Sequence, residues 1–145
     1  MTASVVMLGV AGFVLFTAGL LIGFAIPAVK NPRMGLSAHL TAAQTGPALT
    51  AFALFWQYLS VPSGLTDVLV YTLVVSSFAL VLGILLAAIF GAGEALPIAG
   101  GAHRADKLRE TLVSVLVKGS SVAMALACLT IAYFAISNFG KLLQA

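Results

Sequence analysis

The chain has 145 residues, 61% of them hydrophobic and 8% charged, with a mean hydropathy of +1.15 and a formal net charge of +3. Soluble domains carry about 25% charged residues, so the composition excludes a water-soluble enzyme and indicates an integral membrane protein. The few basic residues sit at loops rather than along a stripe, which argues against nucleic acid as a partner, and the single Cys128 has no second cysteine for a disulfide or a thiolate metal site.

A helix needs roughly 20 apolar residues to cross the hydrocarbon core. The expected fold class is therefore all-α, an integral membrane four-helix bundle. Residues 1–145 form one domain, with helices over about 4–29, 36–60, 67–90 and 108–139 and no room for a soluble domain. The first apolar run, Val5 to Val29, has no basic residue before it and exceeds the ~7–15-residue apolar core of a cleaved signal, so it reads as a retained helix. Gly12, Gly19 and Gly23 fall near one of its faces. They either admit a close-approaching backbone through the Gly19-x-x-x-Gly23 pair or reflect only the glycine content of membrane helices.

Lys30, Asn31, Pro32 and Arg33 form a polar loop, Pro27 and Pro32 bracket the exit of the first helix, and Gly35 is the last flexible point before the second, Leu36 to Leu59. In that helix His39, Gly46, Thr50 and Gln57 project to one side and Thr41, Gln44 and Thr45 to the other. Two polar faces on an apolar helix imply that protein or ligand covers both. Pro47 removes a backbone donor and predicts a kink. Trp56 and Tyr58 suit the far interface, Val61 to Gly64 a tight turn, and Thr66 or Asp67 a cap for the third helix.

The third helix carries Tyr71, Thr72, Ser76 and Ser77, hydroxyls that line a pocket or bond back to their own helix. The longest loop, Gly91 to Arg104, follows, and Glu94, His103, Arg104, Asp106, Lys107, Arg109 and Glu110 make the chief charged cluster. The first turns of the fourth helix stand outside the bilayer. Lys118 lies deeper and either snorkels or meets an anionic ligand group. Lys30, Arg33, Arg104, Lys107, Arg109 and Lys118 against Lys141 alone place the 1–2 and 3–4 loops in the cytoplasm and both termini outside it.

His39 has three physical readings: a neutral imidazole bonded to a neighbouring helix, a proton shuttle, or a ligand to a metal or haem iron. His103 belongs to the charged loop, and no carboxylate or thiolate lies near His39 to complete a zinc or di-iron site. Iron held by one protein ligand keeps an open position suited to Lewis-acid chemistry.

The run Asn31-Pro-Arg-Met-Gly-Leu-Ser-Ala-His39, the segment from Leu86 to Gly93, and the loop from Leu96 to Gly101 followed by Arg109-Glu110 resemble hydroxylaminobenzene mutase, and more distantly the chain is similar to styrene oxide isomerase. The resemblance covers nearly the whole chain in order. It implies a membrane isomerase or mutase that rearranges a small aromatic hydroxylamine to an aminophenol, or a related N-oxide or epoxide, without net oxidation. In the isomerase branch a ferric haem b lies between protomers of a trimer, with iron held by the histidine matching His39.

The resemblance thus implies haem b with His39 as metal ligand, a homotrimer with haem near the protomer interface, a small aromatic substrate and a multi-pass place in the bilayer, in a bacterial inner membrane. Two positions depart from the pattern. Thr45-Gly46 replaces an Asn-Gly six residues after the histidine, and Phe78-Ala79-Leu80 replaces an aromatic-Ala-Asn, with Ile84 where the isomerase has a pocket tyrosine. Gln44, Thr45, Tyr71, Ser76 and Ser77 are the available polar replacements, and Arg33, Arg104 and Lys118 the candidates for the haem propionates. The rival expectations are a non-catalytic membrane subunit or scaffold, and a small-molecule carrier, which lacks an internal repeat and an intramembrane carboxylate here.

Overall fold

The computed structural model describes residues 2–142, with side chains described through residue 140, so Lys141, counted above, lies outside the described side chains. Among the described residues there are helices and no strand. They are α1 Ala3–Ala25, extended by a 3-10 turn Ile26–Ala28, α2 Pro32–Phe55, extended by a 3-10 turn Trp56–Tyr58, α3 Ser63–Phe90, a short α4 Pro97–Gly100, and α5 Lys107–Leu142. Three stretches are long and apolar enough to cross a membrane: Ala3–Ala28, Ser63–Phe90 and Lys107–Gly140. The helix α2, 24 residues, is also long enough to cross, but Arg33, Ser37, His39, Thr41, Gln44, Thr45 and Thr50 dilute its apolar character.

Two helices begin about one turn earlier than the apolar runs suggest. Asn31, 1% exposed, caps α2 by accepting the Met34 amide on Oδ1 at 3.2 Å, with Pro32 in the first helical position. The expected polar loop is therefore partly helix, and Gly35 is a buried helical residue facing Val29 rather than a hinge. Likewise α3 starts at Ser63 after Pro62, so Thr66 lies inside its first turn and its hydroxyl donates to the Pro62 carbonyl at 3.3 Å instead of capping. At the other end Gly91 takes φ 72° and the Ala92 amide returns to the Ala87 carbonyl at 3.0 Å, closing α3 as a left-handed glycine cap does. The helix α2 is continuous through Pro47.

Packing builds two antiparallel hairpins, α1 with α2 and α3 with α5, joined where α2 and α1 lie on α3. Small residues bring α1 and α2 together. A Cβ on Gly12 would stand 2.6 Å from the Gly46 carbonyl oxygen, and one on Gly19 2.9 Å from the Ala43 nitrogen, so the backbones touch. One apolar core gathers Leu8, Leu15, Leu49, Leu73 and Ile131; a second, toward the 1–2 loop, gathers Met34, Ile84, Ala88 and Val113.

Buried polar residues tie the ends. The Asn31 amide nitrogen donates to the Ala99 and Gly100 carbonyls at 3.2 and 3.3 Å, while its backbone N–H donates to Ala88 at 3.0 Å. At the opposite end Asn138 donates to the Leu59 carbonyl at 2.9 Å. Glu110 is not part of the surface charge cluster. It is 3% exposed, and its carboxylate accepts the amides of Gly93, Glu94 and Ala105, each at 3.0 Å, binding the 91–106 segment to α5.

Candidate functional site

The α1–α2 seam positions His39. Its Nδ1 lies 2.7 Å from the Gly19 carbonyl oxygen, and Gly23 leaves the ring its space, since a Cβ there would stand 2.9 Å from Nδ1. A carbonyl can only accept, so Nδ1 carries the hydrogen and donates. In the neutral ring the lone pair is then on Nε2, which has no hydrogen-bond partner among the described residues. Anchoring one ring nitrogen to a backbone carbonyl while leaving the other free is how metal-bound histidines are oriented. Lone-pair position, half-burial and the fixed ring are those of a residue that could hold haem iron. No group of three or more metal-binding side chains occurs among the described residues.

The other candidate residues do not join His39 within one copy. Gln44 and Thr45 lie on the far side of α2, in a cavity of about 310 Å³ between α2, α3 and α5, with Ser77, Met124 and Cys128. Tyr71 and Ser76 line a different groove between α3 and α5, about 500 Å³, beside Gly119 and Ser120. The hydroxyls of Ser76 and Ser77 donate to the Leu73 carbonyl at 3.3 and 2.6 Å, so they offer lone pairs rather than protons to a ligand. Periodicity had separated the two faces of α2, but Met124 and Cys128 as neighbours of Gln44 and Thr45 carried no sequence signal beyond their apolar helix.

Of the basic candidates, Arg104 Nη1 donates to the carbonyls of Gly101 and His103 at 2.9 and 2.6 Å, whereas Arg33 and Lys118 are exposed with no acidic partner among the described residues. Depth can be read from the helix register. Gly83 lies as far along α3 from Ser77 as His39 lies along α2 from Thr45, and Leu116 and Val117 pack on Gly83. Lys118 thus stands at the level of His39, on a different helix.

Residues 6–136 match the family model described as styrene oxide isomerase. The chain is 42% identical over 108 residues to hydroxylaminobenzene mutase HabA of Ectopseudomonas oleovorans, covering 74% of this chain and 80% of that protein. It is 37% identical over 118 residues to hydroxylaminobenzene mutase HabB of the same organism, covering 81% of this chain and 72% of that protein.

Proposed function

This chain belongs to the styrene oxide isomerase family and is an intramolecular isomerase, and on that footing we propose that it rearranges a small aryl hydroxylamine to an aminophenol, or a related N-oxide or epoxide, using a haem b held by His39. The observation that carries the haem reading is the tethered imidazole, with Nδ1–H on the Gly19 carbonyl and Nε2 left as the donor nitrogen. When bound, the haem supplies a Lewis acid.

The residues of the chain do the rest. Gly19 and Gly23 fix the ring plane of His39, and Gln44 and Thr45 offer hydrogen bonds that orient the substrate's polar group, with Tyr71 and Ser76 as further positioning groups. The walls around Gln44 and Thr45 are Leu49, Phe52, Leu73 and Met124, which exclude water from a cation-like aromatic ring. In the hydroxylamine case the N–O bond breaks, a ring C–O bond forms, and the displaced ring proton is balanced by one gained at nitrogen, so substrate and product are isomers.

Because His39, the Gln44–Thr45 cavity and the Tyr71–Ser76 groove face different ways in one copy, the working site is completed by neighbouring copies in a homotrimer, with the haem near the protomer interface. Lys118 and Arg33 meet its propionates; Arg104 is the weaker candidate because it already serves its own loop. The helix α2 crosses the bilayer with α1, α3 and α5, since the glycine seam pairs it with apolar α1 along its length, making a four-helix bundle. The basic ends face the cytoplasm of a bacterial inner membrane, with the termini on the other side.

The test is incubation of the purified protein with hydroxylaminobenzene in 18O-labelled water, with product analysis by mass spectrometry. An unlabelled aminophenol is expected. Absence of any isomer across hydroxylamine, N-oxide and epoxide substrates, or label entering the product from water, contradicts the proposal.

A further inference from the structure

At the end of the bundle opposite His39, about 25 Å away along α2, a second cavity of about 410 Å³ opens where α1 meets the α2–α3 turn. Its lining includes Trp56, Gln57, Ser60, Val61, Ser63 and Thr66, with no formal charge. We propose that this cavity is a binding site for an uncharged, single-ring aromatic molecule carrying a hydroxyl or amino group, separate from the site of isomerisation.

The donor and acceptor inventory selects that class. Trp56 is 7% exposed, and its indole N–H has no acceptor among the described residues. Since no side-chain nitrogen sealed from solvent lacks a partner among those residues, that N–H keeps some access to space outside the protein, and Trp56 is one of the residues lining the cavity. A buried indole ordinarily finds a partner for this donor. Gln57 Nε2 donates to the Leu54 carbonyl at 3.4 Å, leaving Oε1 as an acceptor, and the Thr66 hydroxyl, spent on Pro62, also offers only lone pairs.

The cavity therefore sets donors beside acceptors, the Ser60 and Ser63 hydroxyls next to the Gln57 and Thr66 oxygens, which a hydroxyl or amino group satisfies in both senses, with the Trp56 and Val61 side chains in the lining for an aromatic ring. A carboxylate or ammonium would find no counter-charge among the described lining residues. The rim is held in shape: Ser60 takes φ 50°, a left-handed conformation uncommon outside glycine, and Asn138 of α5 grips the adjacent Leu59 carbonyl at 2.9 Å.

Trp56 is the only tryptophan in the sequence, so its fluorescence reports on this cavity. The full-length protein in mild detergent is titrated with 4-nitrobenzyl alcohol, a neutral quencher of the right class, and with 4-nitrotoluene, which lacks the hydroxyl. The alcohol is expected to quench saturably, with half-saturation about tenfold tighter than nitrotoluene, the factor that one hydrogen bond of about 1.4 kcal/mol provides. Ser63→Phe should fill the cavity and remove the saturable component, Gln57→Leu should weaken binding about tenfold, and His39→Ala should leave it unchanged. Val61→Phe replaces Ser63→Phe if the latter loses its helical circular dichroism. Quenching that rises linearly for both compounds, that survives both the filling and the Gln57 substitutions, or that disappears in His39→Ala overturns the proposal.

Discussion

Replacing Gly12 by alanine should separate α1 from α2, and the size of the effect can be worked from the seam. The added methyl would stand 2.6 Å from the Gly46 carbonyl oxygen and 2.9 Å from the Thr50 amide nitrogen. Both are backbone atoms of the facing helix and cannot swing aside, so the helices must part by several tenths of an ångström. Overpacking of this kind costs about 1–3 kcal/mol, against a helix-propensity gain of about 0.5–1 kcal/mol for glycine to alanine. Gly119→Ala is the control, because a Cβ there meets nothing within 4 Å and only the propensity gain remains. The two variants should differ by about 1–3 kcal/mol, or roughly 2–4 °C in thermal midpoint per kcal/mol for a chain of this size. Thermal unfolding in mild detergent, followed by helical circular dichroism, measures the difference. Equal midpoints for Gly12→Ala and Gly119→Ala would refute the close backbone seam and with it the account of how His39 is placed.

Gly23→Ala should destabilise less than Gly12→Ala, since its methyl meets the His39 ring, which can tilt, but it should lower haem occupancy by breaking the bond to the Gly19 carbonyl; the ratio of haem absorbance to protein checks this. Asn31→Ala removes three hydrogen bonds, two of them buried, at about 1 kcal/mol each, so a loss of about 2–3 kcal/mol is expected, with faster hydrogen exchange at residues 99–103. Glu110→Gln turns an amide group toward three backbone donors and should cost about 1–3 kcal/mol, read as faster proteolysis between Gly93 and Ala105 while helical content is kept.

The apolar runs, the glycine face of the first helix and the two polar faces of the second were legible because periodicity alone reports them, and the structure pairs Gly12, Gly19 and Gly23 with α2 as that face suggests. Helix starts were misplaced where a cap, not hydropathy, sets them: Asn31 and Pro62 each begin a helix before its apolar stretch. Glu110 and Asn138 were not legible as braces, because their partners are backbone groups of other segments, and an acidic residue in a charged cluster at a helix start looks like any solvated one. For the site, the position of His39 and a bond from its ring to a neighbouring helix could be read, but not that the Gly19 carbonyl receives it, since a carbonyl leaves no mark in sequence. Periodicity separates Gln44 and Thr45 from His39, but it does not reveal which helices a face meets, and that they open toward α3 and α5 could not be read.

The most direct test of the central claim is the absorption spectrum of the detergent-purified protein, expressed with haem supplied, beside that of His39→Ala. The account predicts a Soret band near one haem per chain or per interface in the native protein and its loss in the variant, with helical circular dichroism retained. A band that persists in His39→Ala, or a native protein that takes up no haem while still isomerising hydroxylaminobenzene, would contradict it.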